Sequence, residues 1–256
     1  MTTVKRLAQR AVDMLMTPPV MNGTRLKTNL DTNFLKIIAI ITMAIDHIGM
    51  VFFPDKPWFR YIGRLSFPIF CYCMTVGMLY TRSMKKYLLR LAALAVISQP
   101  VYLLALYPDW RSMETIPLNV FFTLLFSLGA LYGVRRRQWW WTLIGLYLLI
   151  LTDAMYSILG FLYMLVFYLC RAKPFIAGLA YVLVAAMESL DITGSSPMVT
   201  LFGPVGFSPS VFTVFSAPLV CIPMKVTKKL PMIPKWVFYL FYPTHLAIIA
   251  GIRTVL

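Results

Sequence analysis

Residues 34–54, FLKIIAIITMAIDHIGMVFFP, decide the fold. Only three ionisable side chains interrupt this apolar run: Lys36, Asp46 and His47. A helix of about 20 such residues matches the hydrocarbon thickness of a bilayer. Working outward from it, eight more apolar runs follow. The nine spans read as roughly 34–53, 61–80, 87–107, 117–134, 139–153, 156–170, 174–190, 205–224 and 236–256. The fifth and sixth are near the minimum crossing length. The eighth carries Pro204, Pro209 and Pro218, which remove helix hydrogen bonds.

Composition agrees. Of 256 residues 60% are hydrophobic and 13% charged, against roughly a quarter charged in a soluble domain. A soluble globule has no means of hiding that much apolar surface, and disorder needs the opposite balance. The expected fold is all-α: a polytopic helical membrane protein with about nine transmembrane helices, within a range of 8–10. Residues 1–33 form a basic N-terminal segment with no cleavable leader visible, and residues 4–16 suit either an interfacial helix or a loose tail. Residues 34–256 form a single transmembrane domain.

Charge sets the orientation. The 24 Lys and Arg against nine Asp and Glu give a net +15. Such an excess is compatible with nucleic-acid binding, but here the cations lie in short clusters between apolar runs. All but Lys56, Arg60, Arg64, Arg111 and Arg253 fall in alternate connections. The positive-inside rule then puts the N-terminus in the cytoplasm of a multi-pass plasma-membrane protein, the C-terminus outside, and lipid headgroups against the basic loops. No nucleic-acid partner is expected.

Ionisable residues inside spans carry the functional signal, because burying charge in hydrocarbon is costly. Lys36 and His47 are eleven residues apart, about 20° after three turns, so they share a helix face about 16 Å apart along the axis. Asp46 adjoins His47 and either tunes it as a base or joins it in gluing helices. Arg60 and Arg64 share a face. Arg64 needs a buried anion, for which Asp46 is the candidate, and it serves either structure or the stabilisation of negative charge. Arg82, Lys85, Lys86 and Arg90 read as topology and lipid contact, or as a landing site for a phosphorylated donor. His245 in FYLFYPTHL is a second intramembrane imidazole. Glu188 and Asp191 are expected near the outer edge of span seven, and Asp153 at a solvated outer turn. Cys71, Cys73, Cys170 and Cys221 lie in apolar runs without metal-ligand spacing, so no metal is expected. Walker, dinucleotide, HExxH and GxSxG motifs are absent.

LKIIAIITMAIDHIGMVFFP, RYIGRLSFPIF, KKYLLRLAALAVISQP and FYLFYPTHL together resemble the TraX family, whose founding member acetylates the N-terminus of conjugative pilin. The resemblance covers most of residues 30–256. The Lys36-to-His47 spacing is also similar to the opening helix of the broader transmembrane acyltransferases, which have Arg where this chain has Lys36, losing the planar fork. The resemblance implies an acyltransferase-like domain that passes an acetyl group from cytosolic acetyl-CoA to an acceptor on the other face. On that reading His47 is the base or acyl carrier, Asp46 orients it, and Arg64 stabilises the oxyanion. His245 is a further catalytic candidate, and Lys36, Arg82, Lys85 and Lys86 meet the donor. The acceptor stays open among a protein N-terminus, a saccharide hydroxyl and a small molecule. Two alternatives stand beside it: a proton-coupled transporter of a small molecule or lipid using Asp46, His47 and His245 as a relay, and a non-catalytic scaffold.

Overall fold

The computed structural model describes residues 32–152, 156–189, 199–202, 205–222 and 234–255. The N-terminal segment, Asp153, Asp191 and the basic connection before residue 234 lie outside them.

The opening apolar run forms α1, Thr32–Phe52. The second span is two helices, α2 (Trp58–Gly63) and α3 (Ser66–Tyr80). Pro68 explains the break, since it has no N–H to offer the carbonyl of Arg64 one turn back. Ser83 then caps α4, Met84–Leu106, by accepting from the Lys86 amide at 3.4 Å. Asn119 caps α5, Val120–Arg136, and its amide group also donates to the Ala95 carbonyl and the Gln99 side chain, both at 2.8 Å. That ties the start of α5 to α4.

After a left-handed turn at Arg137 (φ 56°) come α6 (Trp139–Leu151), α7 (Ser157–Leu169) and α8 (Pro174–Ser189). Trp139, Trp140 and Trp141 are exposed beside Arg135–Arg137, the pairing of aromatics and cations found at a membrane interface. α6 and α7 have 13 residues each and so rise only about 20 Å. They are shorter than a bilayer core, as their sequence length warned. α6 packs tightly on α5: a Cβ at Gly145 would lie 2.8 Å from both the Ala130 Cβ and the Phe126 carbonyl.

The eighth span departs from expectation. Val199–Phe202 (β1) and Val205–Phe207 (β2) pair antiparallel, with Val199 opposite Phe207, so the chain is not wholly helical. A 3-10 segment, Pro209–Ser216, then leads into the short α9, Ala217–Cys221. Three prolines in fifteen positions deny a long α-helix its amide donors. The 3-10 and α9 segment still runs back along α8. Ser210 bonds Glu188, the Tyr181 hydroxyl donates to the Thr213 carbonyl at 2.8 Å, and Cys221 lies beside Gly178. By helical rise it covers about 23 Å.

The last helix, α10 (Lys235–Val255), lies parallel to α1. Near their starts the Lys36 ammonium sits 5.4 Å from the Phe238 ring centre, and further along His47 meets His245. Among the described residues, Thr32–Phe52, Trp58–Tyr80 and Met84–Leu106 are long and apolar enough to cross a membrane. The interior is built of aromatic rings, with Tyr72, Tyr163, Tyr181, Phe67 and Phe167 buried. The four cysteines are free thiols, three of them buried. Outward-facing surface is apolar too: Leu89, Val96, Ile97 and Leu104 stand exposed along α4.

Candidate functional site

The face predicted to hold Lys36 and His47 is turned toward α10 at both positions. Three turns separate them, about 16 Å of rise, and each meets a side chain of that helix. His47 is 8% exposed. Its Nδ1 lies 2.8 Å from Nε2 of His245, and the two rings are within 2° of parallel. His245 in turn bonds its own helix, with Nδ1 2.8 Å from the Phe241 carbonyl oxygen. Tyr242 presents its edge to His47, and Phe241 stacks on His245. The two histidines of the chain, 198 positions apart, form one hydrogen-bonded dyad.

His245 also lines an apolar cleft of about 600 Å³ between the far halves of α1 and α10, walled by Ala44, Ile48, Phe52, Ile248 and Ile252. His245 is thus the polar element at the edge of an otherwise apolar cleft.

Asp46 does not orient His47. Adjacent residues on a helix point about 100° apart, and the Asp46 carboxylate instead accepts from Arg60 at 2.8 Å. Asp46 is therefore engaged away from the imidazoles, which removes it as the middle of a relay with His47 and His245. Arg64 was the expected partner of Asp46 and is not its hydrogen-bond partner. Its Nη1 donates to the Tyr156 hydroxyl at 3.2 Å, and it stays within Coulomb reach of Asp46 and Glu188. Arg60, within α2, is the cation level with Asp46, while Arg64, just past the end of α2, meets Tyr156 instead. Among the described residues, Asp46 Oδ1 and Arg64 Nε have no hydrogen-bond partner.

Glu188 is drawn inside rather than left at a wet edge. It accepts from the Tyr163 hydroxyl and bonds Ser210. Asp46, Arg60, Arg64, Tyr156, Tyr163, Glu188 and Ser210 thereby make a charge-balanced polar cluster among α1, α2, α7, α8 and the 3-10 segment. Sequence reading missed Tyr156, Tyr163 and Ser210. The one signal for them was the need of a buried carboxylate for donors.

Arg82, Lys85 and Lys86 are exposed at the start of α4. They share an end of the bundle with Lys36. Cys73 of α3 approaches the Thr32 carbonyl at the start of α1, and Tyr87 of α4 contacts Met74 and Gly77 at the end of α3. Arg135 reaches the Met78 carbonyl from α5 at the same end. No group of three or more metal-ligating side chains occurs among the described residues.

The TraX protein family model matches residues 31–253. Protein TraX of Escherichia coli is 26% identical over 226 residues, covering 85% of each chain. A probable fimbrial assembly protein FimC, serogroup H1, of Dichelobacter nodosus is 37% identical over 106 residues, 38% of this chain and 43% of that one. An uncharacterized protein, RP591, of Rickettsia prowazekii (strain Madrid E) is 46% identical over 46 residues, 18% of each. The chain thus spans less than half the length of the FimC relative but most of Protein TraX. No solved structure matches it. The chain belongs to the TraX family.

Proposed function

We propose that this TraX-family chain is a multi-pass plasma-membrane acyltransferase that moves an acetyl group from cytosolic acetyl-CoA to an acceptor reached from the opposite face. The observation that carries the reading is the shared Lys36–His47 face. A cation at the basic end and a buried imidazole three turns deeper both look onto α10, about the reach of an extended pantetheine arm apart. An apolar exterior on α4 and three helical segments of crossing length, the second of them α2 and α3 together, support the membrane setting.

Lys36 and the exposed Arg82, Lys85 and Lys86 suit the anionic end of such a donor by charge. The donor supplies an activated thioester. His47 removes the acceptor proton as the acceptor attacks the thioester carbonyl, and the carbon–sulfur bond breaks to release the thiol. The relative named as a probable fimbrial assembly protein makes the amine of a fimbrial subunit the first acceptor to try, ahead of saccharide hydroxyls and small molecules. The test is purified full-length protein in detergent with acetyl-CoA, following thiol release with and without acceptor. Turnover that is lost in His47→Ala upholds the reading. No donor binding and no thiol release with any acceptor class would overturn it.

A further inference from the structure

We infer that His245 is a positioning residue: it holds His47 in the Nδ1–H tautomer, so that the bare Nε2 of His47 is the basic atom. The tautomer rests on geometry alone, and its catalytic use rests on the acyl-transfer reading above.

The polarity of the hydrogen-bond chain follows from its fixed end. A backbone carbonyl only accepts, so at 2.8 Å the Nδ1 of His245 must be the donor to Phe241. In a neutral imidazole the other nitrogen is then an acceptor. That nitrogen, Nε2 of His245, lies 2.8 Å from Nδ1 of His47, which must therefore carry the hydrogen. Nε2 of His47 is left with its lone pair, and among the described residues nothing hydrogen-bonds it. The reverse polarity would put hydrogens on both nitrogens of His245 and make it a cation. Its surroundings argue against that. It lies between the Phe241 and Tyr242 rings and an isoleucine-lined cleft. The nearest carboxylate on α1, Asp46, is already bound to Arg60. Among the described residues an ionised group there would have no anionic hydrogen-bond partner to offset its desolvation.

The arrangement has the logic of an oriented base. A second acceptor fixes ring angle and tautomer, and the first ring acts. In the reaction, Nε2 of His47 takes the acceptor's N–H or O–H proton while the new bond to the acetyl carbon forms. The C–S bond breaks, and the same proton passes to the departing thiolate. Nδ1 keeps its hydrogen bond to His245 throughout, which steadies the transient positive charge on His47.

With only two histidines in the chain, nitrogen-15 histidine labelling of the full protein in detergent micelles reports both rings. Two-bond nitrogen–proton spectra are expected to show His47 protonated on Nδ1 and bare on Nε2. His245→Gln, whose side-chain oxygen accepts from the same Nδ1–H, should keep that tautomer and retain turnover within about tenfold. His245→Phe removes the acceptor. The His47 proton should then shift toward Nε2, with kcat down by about a hundredfold and the acetyl-CoA KM within about twofold. Wild-type His47 protonated on Nε2, or His245→Phe with wild-type spectra and kcat, would overturn the proposal. Wild-type protein without acetyl-CoA turnover but with the predicted spectra would uphold the tautomer and overturn the acyl-transfer reading instead.

Discussion

Gly63→Ala tests the contact that keeps Asp46 apart from the histidines. Gly63 closes α2 directly over Asp46 of α1. A methyl there would overlap the Oδ1, Cβ and Cγ atoms of Asp46, all at less than 3.0 Å, whereas ordinary contact begins at 3.4 Å. The two helices must therefore separate by about 1 Å, which also strains the ion pair of Asp46 with Arg60. Overpacking of this kind costs about 1–3 kcal/mol, or roughly 3–10 °C in melting temperature for a domain of this size. The assay is fluorescence-detected size-exclusion melting in a fixed detergent. The reasoning demands a specific non-additivity, because the cost is borne by one side chain. Asp46→Gly removes all three clashing atoms, so the double variant Asp46→Gly/Gly63→Ala should lose less stability than the sum of the two single losses. Wild-type melting of Gly63→Ala, or single losses that simply add in the double variant, would refute the packing argument.

Three further outcomes are expected. His47→Ala should lose thiol release by at least about a hundredfold, the scale of a missing general base, while melting within a few degrees of wild type; full turnover would remove His47 from the chemistry. Lys36→Glu should raise the acetyl-CoA KM more than it lowers kcat, and the opposite split would show that Lys36 does not meet the donor. Tyr163→Phe strips Glu188 of one of its two hydroxyl donors and should cost about 1–3 kcal/mol, read by thermal melting; an unchanged melt would mean that Ser210 and Arg64 hold the carboxylate without it.

The family relation orders the acceptor assays but does not choose the acceptor. The Escherichia coli relative aligns along most of its length at 26% identity, and the fimbrial assembly relative over less than half of its own. The dyad, by contrast, is a property of this chain's own packing.

How much was legible beforehand depends on the range of the interaction. Apolar run length, the shared Lys36–His47 face and the clustering of cations are local or additive features, readable from helical period and composition. The proline warning in the eighth span was legible as well, although not its resolution into a ribbon and a 3-10 segment, because several backbones satisfy the same missing amides. Partner choice was not legible. Whether Asp46 takes Arg60 or Arg64 turns on how high α2 stacks along α1, with Gly63 against Asp46. Whether His47 pairs with Asp46 or His245 turns on the rotation of two helices about their axes, set by rings 198 residues apart in the chain. Sequence alone therefore determined that this is a helical chain of the TraX family with Lys36 and His47 on one helix face. Only the tertiary structure decided which atoms those imidazoles meet, because hydrogen bonds act over 3 Å while a helix period specifies direction and not distance.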